Sequence, residues 1–384
     1  MELKELQTHI QVLASVEESD SPMISCYLAL SDGAKSCIDE IDVRHQILSK
    51  SLPAENAAAV GEVARKIQDY LIAAILPRTR GLAAFARAGQ NPFWLALQFE
   101  VPLPTWITIG STPNIYHLVE LKDNYDRYIV LLTTETSARI MSVNLGSLTS
   151  QLWQSRPELR RRAGREWSRD HFQDHRRERT RRFINDQIHT LGSLISLGGY
   201  GHLILAGNPR MIAAVRRALP KRLLEKVVDS VPAAAGDRLS DVVASTLQAF
   251  LAREEQDSQA IAEKLITQIQ THGLAVAGTR ASMEAIRAKQ ADFVVIVQAY
   301  DPGSAWECTT CGRFELGSPR PDQCSACGTH RIRVFDTREE LVRMAEQQDV
   351  GVEVVDHSAV LMNLGGVGCL LRYLAPSNYL YEAA

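Results

Sequence analysis

Strand-sized apolar runs that alternate with longer stretches of helical periodicity predict an α/β protein. Three observations carry this reading. Runs such as MISCYLAL, FWLALQF, HLILAG and ADFVVIVQAY are bounded by Gly, Pro or polar clusters, as strands are. Between them lie segments with apolar residues at helical spacing, Leu3, Leu6, Ile10 and Leu13 being the first. The chain has 384 residues, which at about 100–200 residues per domain gives two or three domains.

The elements follow in order. Residues 3 to 18 read as a helix, and Pro22 precedes the strand MISCYLAL. A long helical stretch runs from about Cys37 to Leu76, interrupted near Pro53 and closed by Pro77. GLAAFARAG and FWLALQF, separated by Gly89, Asn91 and Pro92, form a strand pair, and VPLPTWITIGSTPNIYHLVEL continues as extended, proline-punctuated chain. From Tyr125, DRYIVLLTTETSARIMSVNLG reads as two strands around a polar turn, and the Arg-rich segment is expected directly after it. About Gln173 to Ser196 is helical, with Phe172, Phe183, Ile184, Ile188 and Leu191 as an apolar stripe under a basic face. HLILAG is a strand, Pro209 opens a helix through Leu219, and a long helix covers about Arg238 to His272. From Gly273, LAVAG, SMEAIRAKQ and ADFVVIVQAY give a strand, a helix and a strand. After a cysteine insertion come RIRVF, a helix from Thr337 to Gln347, the strand VGVEVVD and the closing LGGVGCLLRY.

Composition excludes several classes. The net charge of -3 is not that of a generally basic protein. The longest apolar runs, DFVVIVQAY and HLILAG, fall well short of the ~20 residues that cross a bilayer, so no membrane partner is expected. The N-terminus MELKELQTHIQVLASVEESD is amphipathic and acidic, unlike a secretory signal, and a cytoplasmic location is expected. Of seven cysteines, four crowd into Cys308 to Cys327, while Cys26, Cys37 and Cys369 stand alone in apolar stretches, so a disulfide framework is excluded.

The strongest chemical signal is Cys308-x2-Cys311-x12-Cys324-x2-Cys327, with Gly312, Gly317 and Gly328 around the pairs. This is zinc-ribbon spacing. Each CxxC puts two thiolates on one tight turn, and two turns complete the tetrahedral shell of a structural zinc site. A redox pair would need one CxxC, not two.

The second signal is charge. Between Arg156 and Arg182 stand eleven Arg against five acids, with no Lys. A solvated helix face with acid-to-base pairs four apart, such as Glu158 to Arg162 and Glu178 to Arg182, is the plainer reading. The imbalance favours nucleic acid, because Arg makes bidentate phosphate contacts and stacks on bases. The RNA-binding candidates are Arg160, Arg161, Arg162, Arg165, Trp167, Arg169, Arg176, Arg177, Arg181 and Arg182. His171 and His175 sit four apart, but HExxH order is absent and the surrounding arginines disfavour a dication. There is no GxxxxGK[ST] and no GxSxG, which leaves nucleotide hydrolysis and serine hydrolysis unsupported.

The string LGGVGCLLRY, Leu364 to Tyr373, resembles the closing signature of the class-1 peptide chain release factors of archaea and eukaryotes. LVRMAEQQDVGVEVVD before it, GLAVAGTRASMEAIRAKQADFVVIV and LILAGNPRMIAAVRRALPKRL resemble further parts of that family. Archaeal members carry a cysteine-rich zinc insertion at the same place. The resemblance implies a three-domain release-factor-like α/β architecture. It places a decoding-like domain over 1–123, a ribonuclease-H-like domain with a basic helix over 124–272, and a kink-turn-binding-like domain over 273–384 with a zinc ribbon at 306–330. It further implies the ribosome, with rRNA or tRNA, as partner, and a translational GTPase beside it.

Two departures set limits on function. Family members that release nascent chains present Gly-Gly-Gln before the basic helix. Anchored on Phe172, Glu178 and Phe183, that tripeptide should fall at Arg165, Glu166 and Trp167, and it is absent. No codon-reading NIKS-type loop is found either, SDGAKSCIDE being the nearest stretch. The expectation is therefore a diverged, bacterial-type member acting in termination, rescue, quality control or hibernation without Gly-Gly-Gln chemistry. A peptidyl-tRNA or tRNA-end hydrolase using Glu166 as base, and a non-catalytic adaptor, are the alternatives.

Overall fold

A computed structural model of the chain describes residues 2–155 and 169–373 apart from 32, 51, 90, 235 and 318; the side chains of 153–176 lie outside the description. The chain divides into two compact units, one of residues 3–124 with 255–384 and one of residues 125–254.

The first unit begins with α1 (Leu3–Ala14), β1 (Met23–Ala29), α2 (Gly33–Ser49) and α3 (Ala54–Ala73). It continues with β2 (Gly81–Arg87), β3 (Phe93–Phe99), β4 (Trp106–Gly110) and α4 (Tyr116–Asn124). The strands form an antiparallel sheet in the order β3-β2-β1-β4. Alternate residues of the two middle strands, Ile24, Cys26 and Leu28 with Leu82, Ala84 and Ala86, pack against Ile41, Val60, Val63 and Ile67 of α2 and α3. The break near Pro53 is real, since proline stands at the N-cap of α3. One expectation is corrected here: YHLVEL is helix α4, not extended chain. Its start has no local cap. The N–H groups of Ile115 and Tyr116 instead donate to the carboxylate of Glu339, far along the chain, at 2.6 and 3.1 Å.

The second unit holds β5 (Tyr128–Thr133), β6 (Ser137–Asn144), β7 (Ser147–Ser155), α5 (Arg169–Gly198), β8 (His202–Gly207), α6 (Pro209–Ala218), α7 (Lys221–Leu224) and β9 (Val227–Pro232). Its sheet runs β7-β6-β5-β8-β9, with β5, β8 and β9 parallel. The two edge strands, β7 and β9, were not foreseen; β7 fills the residues between the expected strand pair and the Arg-rich segment that starts at Arg156. Ile129, Leu131, Leu203 and Leu205 face Phe183, Ile188 and Leu191 of α5 and Met211 and Val215 of α6. The alternate residues Tyr128, Val130, Ile204 and Ala206 face Val242, Val243 and Phe250 of α8 (Leu239–Gln270). Two helical layers thus cover a central sheet. At the end of β8, Gly207 has φ +133°, and a Cβ there would lie 1.9 Å from the Thr133 carbonyl oxygen, so only glycine lets β8 and β5 pair to their ends.

The first unit resumes with β10 (Ala275–Ala277), α9 (Thr279–Arg287), β11 (Ala291–Val297), β12 (Ser304–Cys308), β13 (Phe314–Leu316) and β14 (Ile332–Asp336). It closes with α10 (Thr337–Gln347), β15 (Gly351–Val355), α11 (Ala359–Asn363) and β16 (Val367–Leu371). One sheet has the order β10-β16-β11-β15, and a three-stranded sheet β13-β12-β14 carries the cysteines. The glycines of LGGVG have a packing reason: a Cβ on Gly365, at φ +101°, would lie 3.1 Å from Gly278 Cα, and one on Gly366, at φ +75°, 2.6 Å from the Tyr300 ring. No helix among the described residues is long and apolar enough to cross a membrane.

Candidate metal centre and nucleic-acid interface

The four cysteines meet. Their Sγ atoms all lie within 4.8 Å of one another, with Cys308 to Cys327 at 3.5 Å and Cys311 to Cys324 at 3.7 Å. A tetrahedron built on a Zn–S bond of about 2.3 Å has an edge of about 3.8 Å, so the cage fits that ion. Both knuckles are closed by the same backbone bonds. Cys308 N–H donates to Arg313 O and Gly312 N–H to Cys308 O; Cys324 N–H donates to Thr329 O and Gly328 N–H to Cys324 O, all at 2.8–2.9 Å. Gly312 and Gly328 take φ of +73° and +71° in these turns.

Turn N–H groups also point at sulfur. Burial pushes the Cys308 thiol up, but the N–H groups of Cys311 and Thr310 outweigh it and bring it down to about 6. The N–H groups of Ala326 and Cys327 lower Cys324 in the same way. The turn N–H groups thus favour the charged form of the first thiol of each knuckle, whereas Cys311 and Cys327 shift upward. Trp306 and Ile332 pack beside Cys308 and Cys324. The ribbon is tied to α9 by Arg280 and Arg287, whose guanidinium groups lie 4.6 and 4.8 Å from the Phe314 ring centre, and by Arg287 to Glu307 at 2.8 Å.

The basic segment divides. Arg160, Arg161, Arg162, Arg165, Glu166 and Trp167 lie outside the described residues, as do the side chains of His171 and His175. Arg169 and Arg176 fall on the α5 backbone. Arg177, Arg181 and Arg182 are exposed, while Phe183, Ile184, Ile188 and Leu191 are buried beneath them, so the expected apolar stripe under a basic face is present. Glu178 accepts from Arg182 Nε at 3.1 Å and pairs with Arg181 at 3.2 Å, and the Arg182 bond above all holds its carboxyl below the ordinary glutamate value. Both arginines remain about three-quarters exposed, at 73% and 75%. Such surface pairs contribute little, and the guanidinium groups keep donors free to turn outward.

A second cationic segment escaped the sequence reading. From Pro209 to Leu224 the chain carries Arg210, Arg216, Arg217, Lys221 and Arg222 and no acid. It was hidden because the same residues read as an ordinary strand-to-helix transition. Asn208 caps α6 by accepting from Arg210 N–H at 2.9 Å, and Met211, Ile212 and Val215 bury its apolar face. The cations are left to the outer side.

Residues 113–251, the stretch that holds the five-stranded sheet and α5, match bacterial archaeo-eukaryotic release factor family 10. Peptide chain release factor subunit 1 of Pyrococcus abyssi is 27% identical over 142 residues, a match that spans 31% of this chain and 34% of that protein. The chain thus covers about a third of the length of the curated relative it matches. The crystal structure of archaeal translation termination factor aRF1 is similar at a TM-score of 0.28, with 15% identity, over 97% of this chain and 99% of that one. Archaeoglobus fulgidus Pelota is similar at 0.38, with 10% identity, over 97% and 92%. Saccharomyces cerevisiae Dom34 is similar at 0.40, with 12% identity, over 77% and 81%.

Proposed function

Because this chain is a diverged member of the release-factor family, we propose that it is a ribosome-associated translation factor that binds rRNA or tRNA through the arginine face of α5. The observation that carries the proposal is that face itself: exposed Arg177, Arg181 and Arg182 held over a buried stripe, within the residues that match the family. Arginine there meets phosphate bidentately, and the apolar stripe keeps the helix docked while the charges are used. Arg160 to Trp167, with Arg169 and Arg176, are proposed to extend the same surface.

The three domains are proposed at 1–123, 124–272 and 273–384, with a translational GTPase as a further partner and the cytoplasm as the place of action. Cys308, Cys311, Cys324 and Cys327 are proposed to hold one zinc ion. Four thiolates close its coordination, so the ion fixes the two turns and offers no position for a reacting water. Peptide release by the Gly-Gly-Gln route is not expected, since Arg165, Glu166 and Trp167 stand at that place. Arg and Glu lack the backbone freedom of two glycines, and Trp lacks the amide that orients water.

Sedimentation of the full chain with purified ribosomes through a sucrose cushion tests the reading. Comigration at low salt that is lost as salt rises is expected, because phosphate contacts release counterions. Failure to comigrate at low salt would remove the proposal.

A further inference from the structure

Between α5 and α6 lies an open groove of about 530 Å³, lined by Arg177, Thr180, Arg181, Ile184 and Asn185 on one wall and by Ala214 and Ala218 on the other. We propose that this groove seats a phosphodiester strand of RNA, with Arg210 and Arg217 of α6 as a second cationic wall facing the arginines of α5. The inference rests on the RNA-binding reading above and adds to it a second helix and a defined seat.

Four features support the assignment. Arg210, Ala214, Arg217 and Ala218 are spaced four, three and one apart, which sets them along one side of α6, the two arginines together on the edge next to the two alanines that line the groove. Arg210 and Arg217 are exposed, and Arg217 is steadied by its Nε donating to Ala213 O at 3.1 Å. No carboxylate lines the groove among the described residues, and Glu178 engages Arg181 and Arg182 without entering the lining. The alanines of α6 and the buried Ile184 give a low apolar floor over which a backbone can lie, with Thr180 and Asn185 as neutral hydrogen-bonding groups beside it.

The spacing favours a nucleic acid over an acidic protein. Residues four apart on a helix stand about 6 Å apart, so Arg177 and Arg181 form a regular row that suits a regularly spaced polyanion. Arginine in both walls adds bidentate contacts that ammonium groups do not make.

The test uses the full chain and a fluorescein-labelled, mixed-sequence single-stranded RNA of twenty nucleotides, titrated by anisotropy at several salt concentrations. Arg210→Glu with Arg217→Glu is expected to weaken binding about tenfold near 0.1 M salt and to flatten the log–log salt slope by about 1.5 units, for two lost phosphate contacts. Ala218→Trp, which fills the groove without changing charge, is expected to weaken binding while keeping the slope. Arg210→Gln with Arg217→Gln serves if the reversed pair melts early, and is expected to lower both affinity and slope to a smaller degree.

The outcomes separate the two readings. If the wild type binds RNA, the α5 change Arg177→Glu with Arg181→Glu weakens it, and both α6 pairs bind as the wild type does, the second wall is wrong and the α5 reading stands. If the wild type binds neither this RNA nor ribosomes, the underlying reading fails as well. Polyglutamate displacing RNA at equal charge concentration would overturn the nucleic-acid assignment in favour of an acidic protein.

Discussion

Glu339 lies in the first turn of α10, is 7% exposed, and receives the N–H groups of Ile115 and Tyr116 at 2.6 and 3.1 Å. Burial pushes its carboxyl up to about 8, against the pull of those two donors, with Asp336 raising it and Arg338 lowering it further. The folded chain therefore keeps a proton here that the unfolded chain releases near the ordinary value of 4.5. That contribution to stability is full below this value and is lost as pH rises to about 8. Thermal melting should show a component that falls between pH 5 and 8 and is absent in Glu339→Gln; an equal pH dependence in that variant would contradict the assignment. Glu339→Ala, which strips both N–H groups of their acceptor, should cost about 1–3 kcal/mol. None of this was legible in TREELVR, which marks a helix but carries no sign of what its acids meet. The partner of Glu339, Ile115, is distant in sequence, while Glu340 pairs with Arg333 of the preceding strand β14, which also holds Glu18 and Glu307, and with Arg343 one turn on. The cysteine cage, by contrast, was legible because each knuckle is local and its glycines mark the turns.

Helix α5 is held by its buried stripe, and the ribbon by its cage. Leu191 is fully buried between the sheet and α6, so Leu191→Ala should lower stability by about 2–5 kcal/mol in denaturant unfolding, whereas Arg181→Ala should leave it nearly unchanged. Elemental analysis of protein purified without chelator should find one zinc per chain, and less than half an ion would contradict the cage. Cys324→Ser should open the ribbon to limited proteolysis between 304 and 336 and leave the β5-to-β9 sheet protected. Elements with strong periodicity, such as α3, α10 and the middle strands, could be read from sequence. The edge strands β7 and β9 could not: Leu148 and Leu152 of β7 are exposed among Ser, Thr and Gln, so no apolar alternation marks it, and β9 ends on Pro232. Helix α4 was missed because Pro113 lies just before it and its cap comes from α10.

At the scale of the whole chain, the five-stranded sheet with helical layers on both faces comes first, the cysteine ribbon of β12 to β14 follows, and LGGVG, packed on Gly278 and Tyr300, comes after both. The order was readable because each part has a local mark. The residues at the expected Gly-Gly-Gln position lie outside the described structure, so the catalytic question is one of chemistry. In a reconstituted termination assay the chain should release no peptide in response to a stop codon, and Glu166→Ala should change nothing.

The arginine face of α5 is the centre of this account, and the salt dependence of ribosome affinity tests it most directly. Replacing Arg176, Arg177, Arg181 and Arg182 by Glu should leave the melting profile intact, lower ribosome affinity, and flatten the log–log salt slope by about one unit for each phosphate contact removed. A quadruple variant that binds ribosomes with wild-type affinity and wild-type slope would contradict it.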